Sequence, residues 1–411
     1  MKVLKIALLG FGTVGEGVYR TIQSHGVRLE EVLGKKVEVV AVLVRDKEKA
    51  RNISKDLLLT TDFDEILNIP QLDIVMEAIV EKEPGFTYLK KAIQKGCHVI
   101  TANKEMFAHH GKELLELAEQ HYVSVGFEAT VAGGVPIIQT LRQLLNVNRI
   151  NKIQGILNGT SNFILSEMRE KKQSFADALH LAQEKGYAEN DPSNDVEGTD
   201  AFYKLVILSK IAFGQQLDWS DINVAGITKI TSELVEEAEE LGLRFKHIAS
   251  VEQENGKLKG SVKPILVGRS HPFYHIEGVE NAVNVEGDIV GSITLQGPGA
   301  GMFPTASAML EDLGQLSKIS KQYDSKSFSV KTNKETRRAA EYWLICNVKK
   351  KLLHPAIENV ERLKNGTSII NADEKVVEKV REQYPGMEYF KIIGGYNEIN
   401  RSGSTSLTAT L

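Results

Sequence analysis

The chain has 411 residues, enough for two or three domains at roughly 150 residues each. Lys plus Arg number 50 and Asp plus Glu 54, a formal net charge of −4, which argues against a nucleic-acid binder with its usual basic excess. Apolar residues are 42% and charged residues 25%, as in globular proteins, and Cys97 and Cys346 are too few for a disulfide framework, pointing to a reducing cytosol.

Up to residue 130, strands and helices alternate. Residues 5–9 form an apolar run, residues 14–33 carry apolar positions at helical spacing, and residues 37–44 are β-branched. Apolar runs at 73–76, 98–100 and 122–127 are separated by helical stretches at 88–94 and 114–120. Such alternation predicts an α/β fold: a parallel sheet with helices on both faces. The pattern then changes. Residues 150–157, 222–227, 262–268 and 289–295 read as strands, and 175–186 and 199–213 as helices, so a second, α+β domain is expected over 131–299. The longest uncharged stretch, 289–310, is too rich in Gly and Pro to span a membrane. A helix follows at 305–317, and the polar residues 321–340 read as a linker. The tail reads as strand 342–348, helix 355–363, strand 367–371, helix 374–383 and strand 389–393. That is the pattern of a small, separate α+β module over 341–411.

The motif Gly10-Phe11-Gly12-Thr13-Val14-Gly15 stands between the first strand and a helix. Gly10 permits a tight turn, Gly12 lets backbone amides approach a pyrophosphate, and Gly15 lets helix and strand pack closely. This placement predicts a Rossmann-type site for NAD or NADP. After the second strand, Arg45 suits the 2′-phosphate of NADP and Asp46 the ribose hydroxyls of NAD; an ordinary solvated turn is the third reading. Further on, Glu189, Asp191, Asp195, Asp200 and Lys204 crowd into one segment. Asp200 and Lys204 are four apart, so a helix places them on one face. A lysine among carboxylates is suited to exchange a proton with an alcohol or aldehyde oxygen. The same spacing also describes a solvated ion pair, worth only about 0.2–0.5 kcal/mol.

Residues 182–204 resemble the signature of the homoserine dehydrogenases at its defining positions. Four other segments agree in order: Thr101-Ala-Asn103-Lys104, Glu128-Ala-Thr-Val131-Ala-Gly133-Gly-Val135-Pro136, Gly155-Ile-Leu-Asn158-Gly159-Thr160-Ser161-Asn162, and Gly299-Ala-Gly301-Met-Phe-Pro304-Thr305-Ala-Ser307-Ala. The resemblance runs over roughly residues 3–318. It implies reversible, NAD(P)-dependent interconversion of L-homoserine and L-aspartate 4-semialdehyde in threonine and methionine biosynthesis. By matched position it implies Lys204 as the proton donor and acceptor, with Lys104 beside it and beside the nicotinamide. Glu189 and Asp200 would hold the substrate ammonium, Asp195 would orient Lys204 or the substrate, and Gly159 and Thr160 would line the pocket. Carboxylates for a cationic amine, and a cation for an oxygen gaining charge, are what this chemistry needs. The resemblance also implies a monovalent cation, sodium or potassium, on Glu128 and the carbonyls of Val131, Gly133 and Val135. It further implies a return of residues 300–320 to the nucleotide domain and a homodimer formed through the second domain's sheet.

Two departures stand out. Val80 and Glu81 replace the family's usual Gly-Gly pair, and the tail gives about five elements where an effector-binding ACT domain has six. A sensor that binds NAD(P) without chemistry, or a related amino-acid dehydrogenase, is the alternative. Retention of Lys104, Glu189, Asp200 and Lys204 together argues against the sensor, which has no use for proton transfer.

Overall fold

A computed structural model of the chain describes residues 3–215, 217–254, 256–316, 341–348, 354–363, 367–384 and 386–395. The first unit runs β1 (Val3–Leu9), α1 (Thr13–Leu33), β2 (Lys36–Leu43), β3 (Leu58–Thr60), α2 (Phe63–Leu67), β4 (Ile74–Glu77), α3 (Gly85–Gln94), β5 (His98–Thr101), α4 (Lys104–Gln120) and β6 (Val125–Gly126). Its strands form a six-stranded sheet in the order β3-β2-β1-β4-β5-β6, every pair parallel. Strands buried on both faces need continuous apolar runs, and Ile6, Ala7, Leu8 and Leu9 supply one. The strand order reverses between β1 and β4, which opens a crevice at their carboxyl ends.

The chain continues with α5 (Ile137–Leu144), β7 (Ile150–Ile156), α6 (Gly159–Lys171), α7 (Phe175–Glu184), α8 (Ser193–Val196), α9 (Thr199–Phe213), β8 (Asn223–Val224), α10 (Ser232–Glu240), β9 (Arg244–Glu254), β10 (Lys257–Val267), β11 (Glu280–Gly287), β12 (Gly291–Pro298) and α11 (Met302–Leu316). Helix α11 carries the chain back to the first sheet. Ala306, Met309, Leu310 and Leu313 share a buried cluster with Ile6, Leu8, Val18 and Ile22. Gly17 of α1 lies so close to Met302 that an added Cβ would meet the Met302 carbonyl oxygen at 2.6 Å.

Strands β3, β9 and β11 and helices α2, α5, α6 and α10 go beyond the sequence reading. Strand β9 buries Lys246 and His247 beside its apolar residues, which hides its alternation. Helix α6 is buried on every side from Thr160 to Ser166, so it shows no apolar stripe.

The tail contributes β13 (Tyr342–Cys346), β14 (Glu358–Arg362), β15 (Ser368–Asn371), α12 (Glu374–Gln383) and β16 (Glu388–Ile393). The helix expected at 355–363 is instead strand β14, antiparallel to β15 with a register shift at Asn359/Glu361. Apolar residues three apart over so short a segment suit a helix face, but pairing on the sheet edge overrides that spacing. The tail is also less separate than its composition suggests. Strand β16 pairs in parallel with β10, Leu266 opposite Ile392 and Val267 opposite Ile393, so the second sheet continues as β12-β11-β7-β9-β10-β16-β13-β15-β14. The expected linker at 321–340 lies outside the described residues.

Candidate active site

The glycine turn sits at the crevice between β1 and β4, and its three glycines do three different things. Gly10 has φ +93°, and a Cβ there would meet the Ala78 carbonyl oxygen at 2.8 Å. Gly15 is tighter: its Cβ would lie 2.1 Å from the Gly10 carbonyl oxygen. Gly12, the N-cap of α1, has nothing within 4 Å of an added Cβ. The turn is therefore forced closed on two sides and left open on the side facing the crevice. Thr13 and Val14 begin α1, aiming its N-terminal amides and dipole at that opening. Phe11 packs edge-on against Tyr19 at 5.8 Å. Arg45 is exposed just beyond β2, where a 2′-phosphate group would be read. The neighbouring Asp46 side chain is turned onto its own backbone, accepting the Glu48 amide at 2.8 Å. These residues fit a dinucleotide.

A second group of side chains converges from three helices. Gly198, at φ 90°, starts α9, which places Asp200 in its first turn and Lys204 one turn later. Both are buried, at 4% and 9% exposure, so this is no solvated ion pair. Lys204 Nζ donates to Asp200 Oδ2 at 2.7 Å and to the Leu157 carbonyl at the end of β7 at 2.6 Å. Lys104, the first residue of α4, reaches the other Asp200 oxygen, Oδ1, at 2.6 Å. One carboxylate thus bridges two ammonium groups. Lys204 is enclosed, whereas the Lys104 side chain is 44% exposed.

The electrostatics separate the two lysines. Burial holds Lys204 below the ordinary lysine value; Asp200 opposes this, and the Lys104 charge adds to it. Lys104 is raised, chiefly by Asp200. Burial works against ionisation of Asp200, yet Lys104 and Lys204 together hold it well below the usual carboxylate range. Asp195 is raised by burial.

Asn158 ties this group together, and the sequence reading gave it no role. Its Oδ1 caps α6 by accepting the Ser161 amide at 2.8 Å. Its Nδ2 donates to Asp195 at 2.6 Å and to Asp200 at 2.9 Å. An Asn followed by Gly-Thr-Ser at a helix start is a capping signal that could have marked it. Thr160 donates to the Tyr187 carbonyl at 2.6 Å, and Gly159 packs against Val279 too closely for a Cβ, at 2.7 Å from its carbonyl oxygen. Glu189 stands apart. It raises Lys104 through space, but its side chain is exposed and has no partner among the described residues.

The third expected set lies elsewhere, between α5 and α11. Glu128 Oε1 and Oε2 accept the Ile138 and Gln139 amides at 2.8 and 2.9 Å, so the carboxylate caps α5. The Glu128 amide donates to Asp312 on α11 at 2.8 Å. Burial pushes Glu128 up to about 7, and Asp312 adds to this. Gly133, at φ +54°, turns the chain against Gly299. The Val131 and Gly133 carbonyls accept no hydrogen bond among the described residues, whereas the Val135 carbonyl accepts the Ile137 amide at 2.8 Å. Cys97 is buried and its thiol is pushed up to about 11 by burial, so it is not a nucleophile.

A crevice shaped for a dinucleotide, with a buried lysine between a carboxylate and a carbonyl on another element, is the apparatus of a nicotinamide-dependent dehydrogenase. Residues 10–128 match the family model for the homoserine dehydrogenase NAD-binding domain, and residues 136–313 the model for homoserine dehydrogenase. The homoserine dehydrogenase of Bacillus subtilis is 41% identical over 314 residues, which cover 76% of this chain and 72% of that protein. The crystal structure of a homoserine dehydrogenase from Thiobacillus denitrificans superposes with a TM-score of 0.84 at 34% identity, covering 96% of this chain and 99% of that one. A hyperthermophilic archaeal homoserine dehydrogenase, solved in complex with NADPH, gives 0.66 at 27% identity, covering 77% of this chain and 98% of that one. The chain belongs to the homoserine dehydrogenase family: it is an NAD(P)-dependent oxidoreductase acting on the hydroxyl group of homoserine. Neither the sensor nor another amino-acid dehydrogenase finds support in these likenesses.

Proposed function

We propose that Lys204 takes the hydroxyl proton when homoserine is oxidised and returns it when L-aspartate 4-semialdehyde is reduced. The observation that carries this is the buried Lys204 amino group, fixed between the Leu157 carbonyl and Asp200, whose burial lowers its pKa from the ordinary lysine value. The dinucleotide supplies the hydride acceptor or donor when bound. Lys104, half-exposed on the crevice side, stabilises negative charge on the same oxygen. Asp200 is the shared counter-ion of both lysines. Its two oxygens are occupied by them, so the exposed Glu189 provides most of the negative charge for the substrate ammonium, with Asp200 behind it. Asp195, held by Asn158, fixes the Asp200 carboxylate through that same amide. Gly159 and Thr160 form the adjoining wall.

Arg45 tilts the cofactor choice to NADP. A charged contact to a phosphate is worth about 1.5–3 kcal/mol. Arg45→Ala should therefore raise the KM for NADP roughly tenfold or more while changing that for NAD little. Initial rates with homoserine and each cofactor test this; equal effects on both would remove Arg45 from the site.

Glu128 with the carbonyls of Val131, Gly133 and Val135 is proposed to hold sodium or potassium. One carboxylate plus carbonyls suits a hard cation of low charge, and a cation would offset the burial of Glu128. Exchanging sodium and potassium for a bulky organic cation should lower activity or thermal stability. If dialysed protein shows neither change, the turn is structural only. The surroundings proposed for the enzyme are the cytoplasm, as a homodimer acting in threonine and methionine biosynthesis. Among the described residues, no helix is long and apolar enough to cross a membrane.

A further inference from the structure

Glu77 ends β4 at the foot of the dinucleotide crevice, and its side chain is entirely buried. No cationic side chain pairs with it among the described residues. Its carboxylate is instead filled with neutral donors from two separate turns. Oε1 accepts the Ile79 amide at 2.6 Å, and Oε2 accepts the Thr101 hydroxyl at 2.5 Å. Asn103 Nδ2 lies 3.5 Å from Oε1 and donates to the Glu81 carbonyl at 2.6 Å. Asn103 is itself held from both sides. Its amide donates to Thr101 Oγ1 at 2.9 Å, and its Oδ1 caps α4 by accepting the Met106 amide at 3.0 Å. Helix α3 closes the group: a Cβ on Gly85 would lie 3.4 Å from both Glu77 Oε1 and Asn103 Nδ2.

A carboxylate buried without a cation is costly, and burial pushes Glu77 up to about 7. What it secures is the relation between two segments whose other links here are the Ala102 amide on the Glu77 carbonyl and the Asn103 side chain on the Glu81 carbonyl. One is the turn after β4, which carries Val80 and Glu81. The other is the β5–α4 turn, whose next residue is Lys104.

We propose that Glu77 is a positioning residue: it clamps the 79–81 turn to the Thr101–Asn103 turn and so fixes Lys104 against Asp200 at the wall of the crevice. This rests on the role given to Lys104 above. A misplacement of about 1 Å in a reacting group can cost roughly 10²-fold in rate, so loss of the clamp is expected to fall on kcat.

The test uses the full-length enzyme with three variants. Glu77→Leu removes every acceptor and should lower kcat roughly 10²-fold. Glu77→Gln keeps an oxygen for Ile79 and Asn103 and can donate to Thr101 Oγ1, so it should restore most of the loss. Thr101→Val deletes one donor, serves if Glu77→Leu does not fold, and should lower kcat in the same direction. Hydrogen–deuterium exchange in peptides covering 78–86 and 102–108 should quicken in Glu77→Leu and Thr101→Val but not in Glu77→Gln. The losses from Glu77→Leu and Lys104→Met should be strongly non-additive in the double variant. Additive losses, or unchanged exchange in both peptides, would overturn the clamp. If Lys104→Met alone keeps normal kcat, the role of Lys104 fails, and the exchange result alone then decides whether Glu77 joins the two turns.

Discussion

Replacing Lys204 by methionine is expected to cut kcat roughly 10²- to 10⁴-fold, the usual worth of general acid–base catalysis. Oxidation of the homoserine hydroxyl must release its proton as the hydride leaves, or a protonated aldehyde results. Lys204 is positioned to take that proton because its neutral amine can keep both N–H groups on the Leu157 carbonyl and Asp200 and turn its lone pair to the substrate hydroxyl; once protonated, the third N–H is the one it returns. Methionine keeps the length and apolar stem in this buried site, so the protein should fold. Dinucleotide affinity should change little, because Lys204 lies on α9 and the phosphate turn lies between β1 and α1. The pH dependence follows from the same geometry. Burial lowers Lys204 from its ordinary value, so its neutral fraction grows with rising pH sooner than for an exposed lysine. Homoserine oxidation, which needs the neutral amine, should therefore quicken as pH rises. Reduction of the semialdehyde, which needs the ammonium, should be faster at lower pH. Both trends should flatten in Lys204→Met. A variant with near-normal kcat would sink the assignment and move the proton to Lys104 or to water.

How far this site could be read from sequence depends on how local its logic is. Helix α9 ends where expected because glycines bracket it and Asp200 and Lys204 share its first turns. The glycine turn was equally legible, since strand, glycines and helix are consecutive. Contacts between distant segments were not. Asn158 reaches Asp195 and Asp200 across 37 and 42 residues, and Glu77 reaches Thr101 across 24. Neither polar residue looks unusual until the fold buries it. Spacing misled at the tail for a related reason. Residues 357, 360 and 363 suit a helix face, yet the partner that decides the matter is β15, which comes later in the chain. The ion pair of Asp200 and Lys204 also changed meaning once α9 was seen to be buried. An exposed i,i+4 pair contributes little, whereas this buried one partly offsets the lowering that burial imposes on the group proposed to do the chemistry.

Gly12→Val should weaken dinucleotide binding at least tenfold, about 1.4 kcal/mol, without unfolding the protein. The three glycines of the turn make this a clean comparison. At Gly15 any side chain would strike the Gly10 carbonyl, and at Gly10 a side chain would meet Ala78 while forcing an L-residue to hold φ +93°. Substitutions there attack the turn itself. Gly12 differs on both counts: its φ of −85° suits any residue, and the space beside it is free of protein atoms. A valine side chain at this position would fill the opening through which backbone amides and the α1 N-terminus meet a pyrophosphate. The expected result is a normal melting curve without cofactor, loss of the stabilisation that the cofactor gives the wild-type protein, and a raised KM for NAD(P). Titration of dinucleotide fluorescence measures the affinity directly. Unchanged affinity in a folded Gly12→Val protein would mean that the pyrophosphate does not lie over this turn, and the assignment of Gly10 to Gly15 would fall with it.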